Sequence, residues 1–131
     1  PQFIQARKDN FAFLKERLKA CEEFVHLPVA TEHSDPSWFG FPITLKENCP
    51  VTRLDLLTYM DQNKVGTRLM FAGNLTRQPY MAGANYRISG ELNYTDNVMN
   101  NTFWIGVQPA LSKEMLEYAA QKIESYLGVT F

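Results

Sequence analysis

The sequence predicts an α+β domain in which a few-stranded sheet is covered by helices on one face. Three observations carry that expectation. Helix-period apolar stripes open and close the chain; the β-branched and aromatic runs between them are few and short; Pro, Gly and Asn punctuate the joins. With 131 residues, 45% hydrophobic and 21% charged, the chain has room for one domain and a modest core, so residues 1–131 are read as a single domain.

The elements follow in order. Phe11, Leu14, Leu18, Cys21 and Val25 recur at spacings of four, three and four, which predicts a helix from about Gln5 to Phe24, ended by Pro28. His26 is then a helix-end residue, and Leu27 to Ala30 a short strand. Thr31 to Ser37 is a polar loop holding a solvated His33. Trp38 to Lys46 reads as a strand whose aromatics Trp38, Phe39 and Phe41 belong to the core, with Pro42 marking an edge or bulge. Thr52 caps a second helix with Asp55 three residues on, and Leu54, Leu57 and Met60 are expected to face the core. Asn63 and Lys64 close it, and Val65 to Phe71 is the next strand. Tyr80 to Glu91 is mostly loop, Thr95 or Asp96 starts a short helix through Met99, and Phe103 to Val107 is a strand. Ser112 caps a last helix with Leu116, Ala119, Ile123 and Leu127 inward and Gly128 beyond its end.

Net charge is −1 and no segment concentrates Lys and Arg, so electrostatics give no case for nucleic acid or an anionic membrane as partner. No apolar run approaches a membrane span. Cys21 and Cys49 lie far apart without metal-ligand spacing; two free thiols in a reducing cytoplasm are expected rather than one disulfide. The Asn-x-Thr triplets at Asn74, Asn93 and Asn100 read as products of an Asn- and Thr-rich composition. A chain that opens on Pro1, already in helical pattern, suggests a piece of a longer polypeptide.

No complete catalytic constellation is visible. His26 and His33 stand without a partnered serine, cysteine or second ligand, and Asp35, Asp55, Asp61 and Asp96 form no acid/base motif. The most informative segment is Thr67 to Tyr80, an apolar strand that opens into a loop of amides and arginines ending in Pro-Tyr. Planar donors at that density suit sugar hydroxyls, phosphates or carboxylates. The alternative is an ordinary strand-to-turn transition whose amides satisfy the local backbone. Tyr86 and Arg87 lie in the following loop, within reach of a ligand or simply at the surface.

Four segments carry a resemblance: Ser-Asp-Pro-Ser-Trp-Phe-Gly-Phe at 34–41, the segment 67–80, Asn-Tyr-Arg at 85–87 and Met-Asn-Asn-Thr-Phe-Trp-Ile-Gly-Val at 99–107, with Arg7 to Phe11 also fitting. Across essentially its whole length the chain resembles the C-terminal part of nucleotide-sugar 3-dehydrases, of the kind that act on CDP-4-keto-6-deoxy-D-glucose in lipopolysaccharide biosynthesis. These belong to the sugar-aminotransferase-like vitamin-B6 enzymes. The resemblance implies the small C-terminal domain of a fold-type-I enzyme that uses pyridoxamine or pyridoxal phosphate (PMP/PLP). In that chemistry a histidine replaces the Schiff-base lysine and a C3 hydroxyl leaves a 4-keto sugar. It also implies that the cofactor, the histidine, and any 2Fe-2S cluster served by a reductase belong to the larger domain, so neither cofactor nor metal is expected here and no catalytic residue is carried over. The implied partners are that large domain, a second subunit and a nucleotide-sugar substrate. The implied substrate-side residues are Asn74, Arg77 and Gln78, with Arg68 and Phe71 shaping the base of the loop. Gln108 and Ala110 depart from the pattern at the cleft edge, which leaves the identity of the sugar open.

Overall fold

The computed structural model describes residues 1–129. The elements run α1 (Gln2–Arg17), a 3₁₀ turn (Lys19–Glu23), β1 (Val25–His26), β2 (Gly40–Leu45), α2 (Arg53–Gln62), β3 (Thr67–Leu69), α3 (Asn93–Asn101), β4 (Thr102–Gly106) and α4 (Lys113–Leu127). Two further 3₁₀ turns, Leu75–Arg77 and Pro79–Met81, lie in the long connection between β3 and α3. The four strands form one antiparallel sheet in the order β1-β2-β4-β3.

Strand alternation sends Phe41, Ile43 and Leu45 of β2, and Phe103 and Ile105 of β4, to the inner face. There they meet Leu14 of α1, Leu56 and Met60 of α2, and Leu116, Ala120 and Ile123 of α4 in one apolar cluster. α3 contacts β2 and β4 but adds no buried side chain to that core.

The stripe expected of the first helix is fully buried: Phe11, Leu14, Leu18, Cys21 and Val25 all join the core. The helix itself ends at Arg17, however, and its last stretch is a 3₁₀ turn in which the Cys21 amide donates to the Leu18 carbonyl at 2.9 Å. A spacing of three from Leu18 to Cys21 is the natural repeat of that tighter helix, so the stripe stays on one face while the hydrogen bonding changes. The chain then turns into β1, which corrects two expectations. The strand is Val25–His26 rather than 27–30, and His26 is an exposed strand residue opposite Thr44, not a helix end.

Two strands are shorter than expected. β2 begins at Gly40, where a side chain would collide with the Trp104 ring at 2.4 Å, so glycine is what admits that ring. Phe39, one residue earlier, is left 73% exposed with its ring 4.9 Å from Trp104; it is not core. Trp38 stacks on Phe11 at 3.8 Å and is half-buried, while Phe41 is buried as expected. Pro42 is tolerated because β1 pairs only with Thr44 and Leu45, leaving that stretch of β2 an open edge. β3 stops at Leu69 rather than Phe71, because Phe71 adopts φ 46 and breaks the extended run.

In α2 the Thr52 hydroxyl accepts the Asp55 amide at 3.2 Å, as the capping pattern required. The inward face is Leu56 and Met60, four residues apart, and Leu57 is half-buried. Leu54 lies about 200° around the helix from Leu56 and is 74% exposed, contrary to expectation. Arg53 fixes that phase by donating from Nη1 to the carbonyls of Met99 and Thr102. In α4 the Ser112 cap, the inner face and the Gly128 terminus at φ 73 are as expected. Both cysteines are free, Cys21 buried and Cys49 half-buried. No helix among the described residues is long and apolar enough to cross a membrane.

Candidate functional site

Loop 70–92 is polar, exposed over most of its length, and contributes no side chain to the apolar core. Two contacts hold its first half on α3. Gly73, at φ +61, presses against Met99; a Cβ there would lie 2.4 Å from Met99 Cγ. Asn74 follows, 1% exposed, and every polar atom of its amide is engaged. Its Oδ1 accepts the Thr76 amide at 3.0 Å and the Thr76 hydroxyl at 2.8 Å, which caps the 3₁₀ turn. Its Nδ2 donates to Asp96 Oδ1 at 2.6 Å.

Asp96 is the hub. Besides Asn74 it accepts Arg77 Nε on Oδ1 at 3.2 Å and Arg77 Nη2 on Oδ2 at 2.8 Å, a two-pronged ion pair. The Arg77 hydrogen bond, and after it that of Asn74, hold the Asp96 carboxyl below the usual carboxylate range. Arg77 Nη1 makes no hydrogen bond among the described residues, and the side chain is 62% exposed. The guanidinium therefore has one edge fixed and one edge bare. Beside it opens a pocket of about 400 Å³ lined in part by Thr76, Arg77, Tyr86, Glu91, Asn93 and Asp96.

The other expected site residues are placed differently. Gln78 is half-buried and donates through Nε2 to the Ala72 carbonyl at 2.7 Å, bracing the loop. Arg68, on β3, is exposed and, among the described residues, donates only to the Thr67 carbonyl. Phe71 is 78% exposed and borders an apolar slot of about 240 Å³ shared with Phe39 and Trp104. The structure thus brings Asn74 and Arg77 together through Asp96, a residue the motif reading left unpaired. Its one sequence signal was its place in the first turn of a short helix, where an acid suits the positive helix end. Arg87 makes no hydrogen bond among the described residues, whereas Tyr86 lines the pocket.

A second cavity, about 540 Å³, runs between the β3–β4 edge and α4 along Val65, Ile105, Leu111 and Met115. Among the described residues no three His, Cys, Asp or Glu side chains gather as metal ligands. None of the lysines is buried and both histidines are exposed. A Schiff-base lysine or a histidine base needs a shielded pocket, and within this domain by itself none of these side chains has one. Cys21, closed inside the core, does not fit a cluster ligand either.

A small α+β domain with one helix-covered antiparallel sheet and a polar loop outside its core is the class that these features define. The same fold occurs in crystal structures of aminotransferase-like PLP enzymes. One is GDP-4-keto-6-deoxymannose-3-dehydratase with a trapped PLP-glutamate geminal diamine, matched at TM-score 0.84 and 19% identity over 94% of this chain and 31% of that one. Residues 1–124 match the DegT/DnrJ/EryC1/StrS aminotransferase family, and the chain belongs to that family. It is 55% identical over 130 residues to the lipopolysaccharide biosynthesis protein RfbH of Salmonella typhimurium, covering 99% of this chain and 30% of that protein. It is 41% identical over 126 residues to the dTDP-4-dehydro-2,6-dideoxy-D-glucose 3-dehydratase of Saccharopolyspora spinosa, covering 96% of this chain and 27% of that enzyme. The chain therefore spans about a third or less of the length of these relatives.

Proposed function

We propose that this chain is the small C-terminal domain of a cytoplasmic PMP/PLP-dependent nucleotide-sugar 3-dehydrase, one that removes the C3 hydroxyl of a 4-keto-6-deoxyhexose during lipopolysaccharide deoxysugar synthesis. Alone it is inactive. The observation that carries this reading is Arg77: a guanidinium pinned along one edge by Asp96 and bare along the other, at a polar pocket. Its role is to orient the substrate by hydrogen bonding, not to transfer protons. Gln78 and Asn74 hold the loop that presents it, and Arg68 and Phe71 form the loop's base on the cleft side.

The cofactor, when bound, withdraws electrons from the sugar. Its reactive partners, and any 2Fe-2S cluster with its reductase, are assigned in this reading to the rest of the parent chain, which is supported by the lack of a shielded lysine or histidine within this domain by itself. The parent's large domain and a second subunit of a homodimer are the partners of this domain. The exposed rings of Phe39 and Phe71, and the apolar cavity along α4, are the surfaces such neighbours would cover.

The reading is supported by relatives named as 3-dehydratases at 41% and 27% identity. A second reading, a sugar-nucleotide aminotransferase, is favoured by the family's own description and by an aminotransferase structure matched at TM-score 0.77. A histidine at the parent's Schiff-base position selects the first and a lysine the second. In the full-length enzyme, Arg77→Ala should lower kcat/KM by about tenfold or more with little change in Tm, since the residue is exposed. Unchanged kinetics would remove Arg77 from the site.

A further inference from the structure

We infer that the pocket beside Arg77 is the seat of the hexose ring rather than of the diphosphate, and that Asp96 is the positioning residue that aims Arg77 into it. This deepens the preceding reading and rests on it. The charge count decides between the two halves of a nucleotide sugar. One cation, Arg77, faces two carboxylates, Asp96 and Glu91, around the same pocket of about 400 Å³. A diphosphate entering there would meet a net negative wall. The N-terminus of α3 would ordinarily favour an anion, but Asp96 in its first turn already occupies that role. A neutral polyol meets no such penalty. The lining offers it the Arg77 Nη1 donor, the Tyr86 hydroxyl, the Thr76 hydroxyl as an acceptor while its proton goes to Asn74, and the Glu91 carboxylate, whose Oε2 also accepts Asn93 Nδ2, a mixture that suits ring hydroxyls which both donate and accept.

Asp96 makes the arrangement directional. Alone, a four-torsion arginine on an exposed loop samples many orientations. Here Nε and Nη2 are held on Asp96, leaving Nη1 as the edge presented to a ligand. Asp96 is itself steadied by the buried Asn74, and α3 by the Met99–Gly73 contact and by Arg53 at its far end.

The test uses the full-length protein and two sets of probes in titration calorimetry: CDP, GDP and dTDP, and the matching conjugates CDP-glucose, GDP-mannose and dTDP-glucose. The nucleotide that binds best fixes the pair compared. The wild type should bind the hexose conjugate more tightly than the bare diphosphate. R77A and R77K should erase most of that advantage, about tenfold, while leaving diphosphate affinity within about twofold. D96N should lose about fivefold on the conjugate only, D96E should recover part of it, and D96N should add nothing in the R77A background. Arg77 is exposed, so its variants test the site even if D96N unfolds the loop. Equal weakening for diphosphate and conjugate overturns the hexose assignment while the wider reading of Arg77 as a substrate contact stands. No weakening of either overturns both. A D96N loss that persists undiminished alongside R77A overturns the positioning role.

Discussion

Gly73→Ala tests how loop 70–92 is held, and its cost can be worked from the geometry. At φ +61 an alanine takes on backbone strain of about 1 kcal/mol. Its Cβ would also stand 2.4 Å from Met99 Cγ and 2.9 Å from Met99 Cα. The methionine side chain can swing aside, but its Cα can move only with α3, so overpacking adds about 1–3 kcal/mol. The sum is about 2–4 kcal/mol. Because the loop places nothing in the apolar core, that cost should appear as local opening and only weakly as global unfolding. Native-state hydrogen exchange on the full-length protein should show amides 74–78 exchanging about 30- to 1,000-fold faster. Gly83→Ala is the control: at φ +81, with nothing within 4 Å, it carries strain without collision and should cost only about 1 kcal/mol. If Gly73→Ala opens the loop no more than Gly83→Ala does, the contact with Met99 is not what holds it.

Arg17 pairs with Glu117 at 2.9 Å and with the buried Glu124, so Arg17→Met should destabilise the protein by about 3 kcal/mol in denaturant titration, with most of that recovered when Glu124→Leu is added. Burial, the main influence, raises the Glu124 carboxyl above 4.5, so the folded state holds its proton more tightly; stability relative to Glu124→Gln should fall as pH climbs from about 4.5 through the raised value. Asp96 shifts the other way: its tie to Arg77 is fully present above about 3.8 and should be lost as pH falls further, read as faster exchange at the Arg77 amide. The Cys21 thiol is pushed up to about 12 by burial and then by Glu124, so iodoacetamide at pH 8 should label Cys49 and spare Cys21 until the protein unfolds.

Where one side chain's fate depends on a periodic stripe or a local cap, the sequence was readable. The α1 stripe, the Thr52 and Ser112 caps and the inner face of α4 needed only spacing, because each is decided within a turn or two of chain. Leu54, Phe39 and His26 were misplaced because tertiary partners set the phase or the boundary. Arg53 on Met99 and Thr102 rotates α2, Gly40 beneath Trp104 starts β2 late, and a 3₁₀ turn delivers His26 into a strand. The loop's importance could be read from its density of amides and arginines. What it grips could not, because Asp96 lies 19 and 22 residues from Arg77 and Asn74, beyond any local rule.

This separation also explains how one small domain can be both robust and adaptable. The residues that bury apolar surface sit on α1, α2, α4 and the inner face of the sheet. Those that can meet a ligand sit on a loop joined to the rest through one carboxylate, one glycine contact and a few backbone bonds. A substitution at Thr76, Tyr86 or Glu91 can therefore reshape the pocket without opening a core cavity, whereas Leu14→Ala would cost about 2–5 kcal/mol in folding and leave the pocket lining intact. Asp96 is where the two sets meet. It lies in the first turn of the helix that leads directly into β4, a strand at the centre of the sheet, and it holds one edge of the arginine whose other edge is bare. A change there should alter ligand selectivity, though less than the loss of Arg77 itself, while costing less in folding than a core substitution, and measuring both quantities on D96N sets that expectation against the data directly.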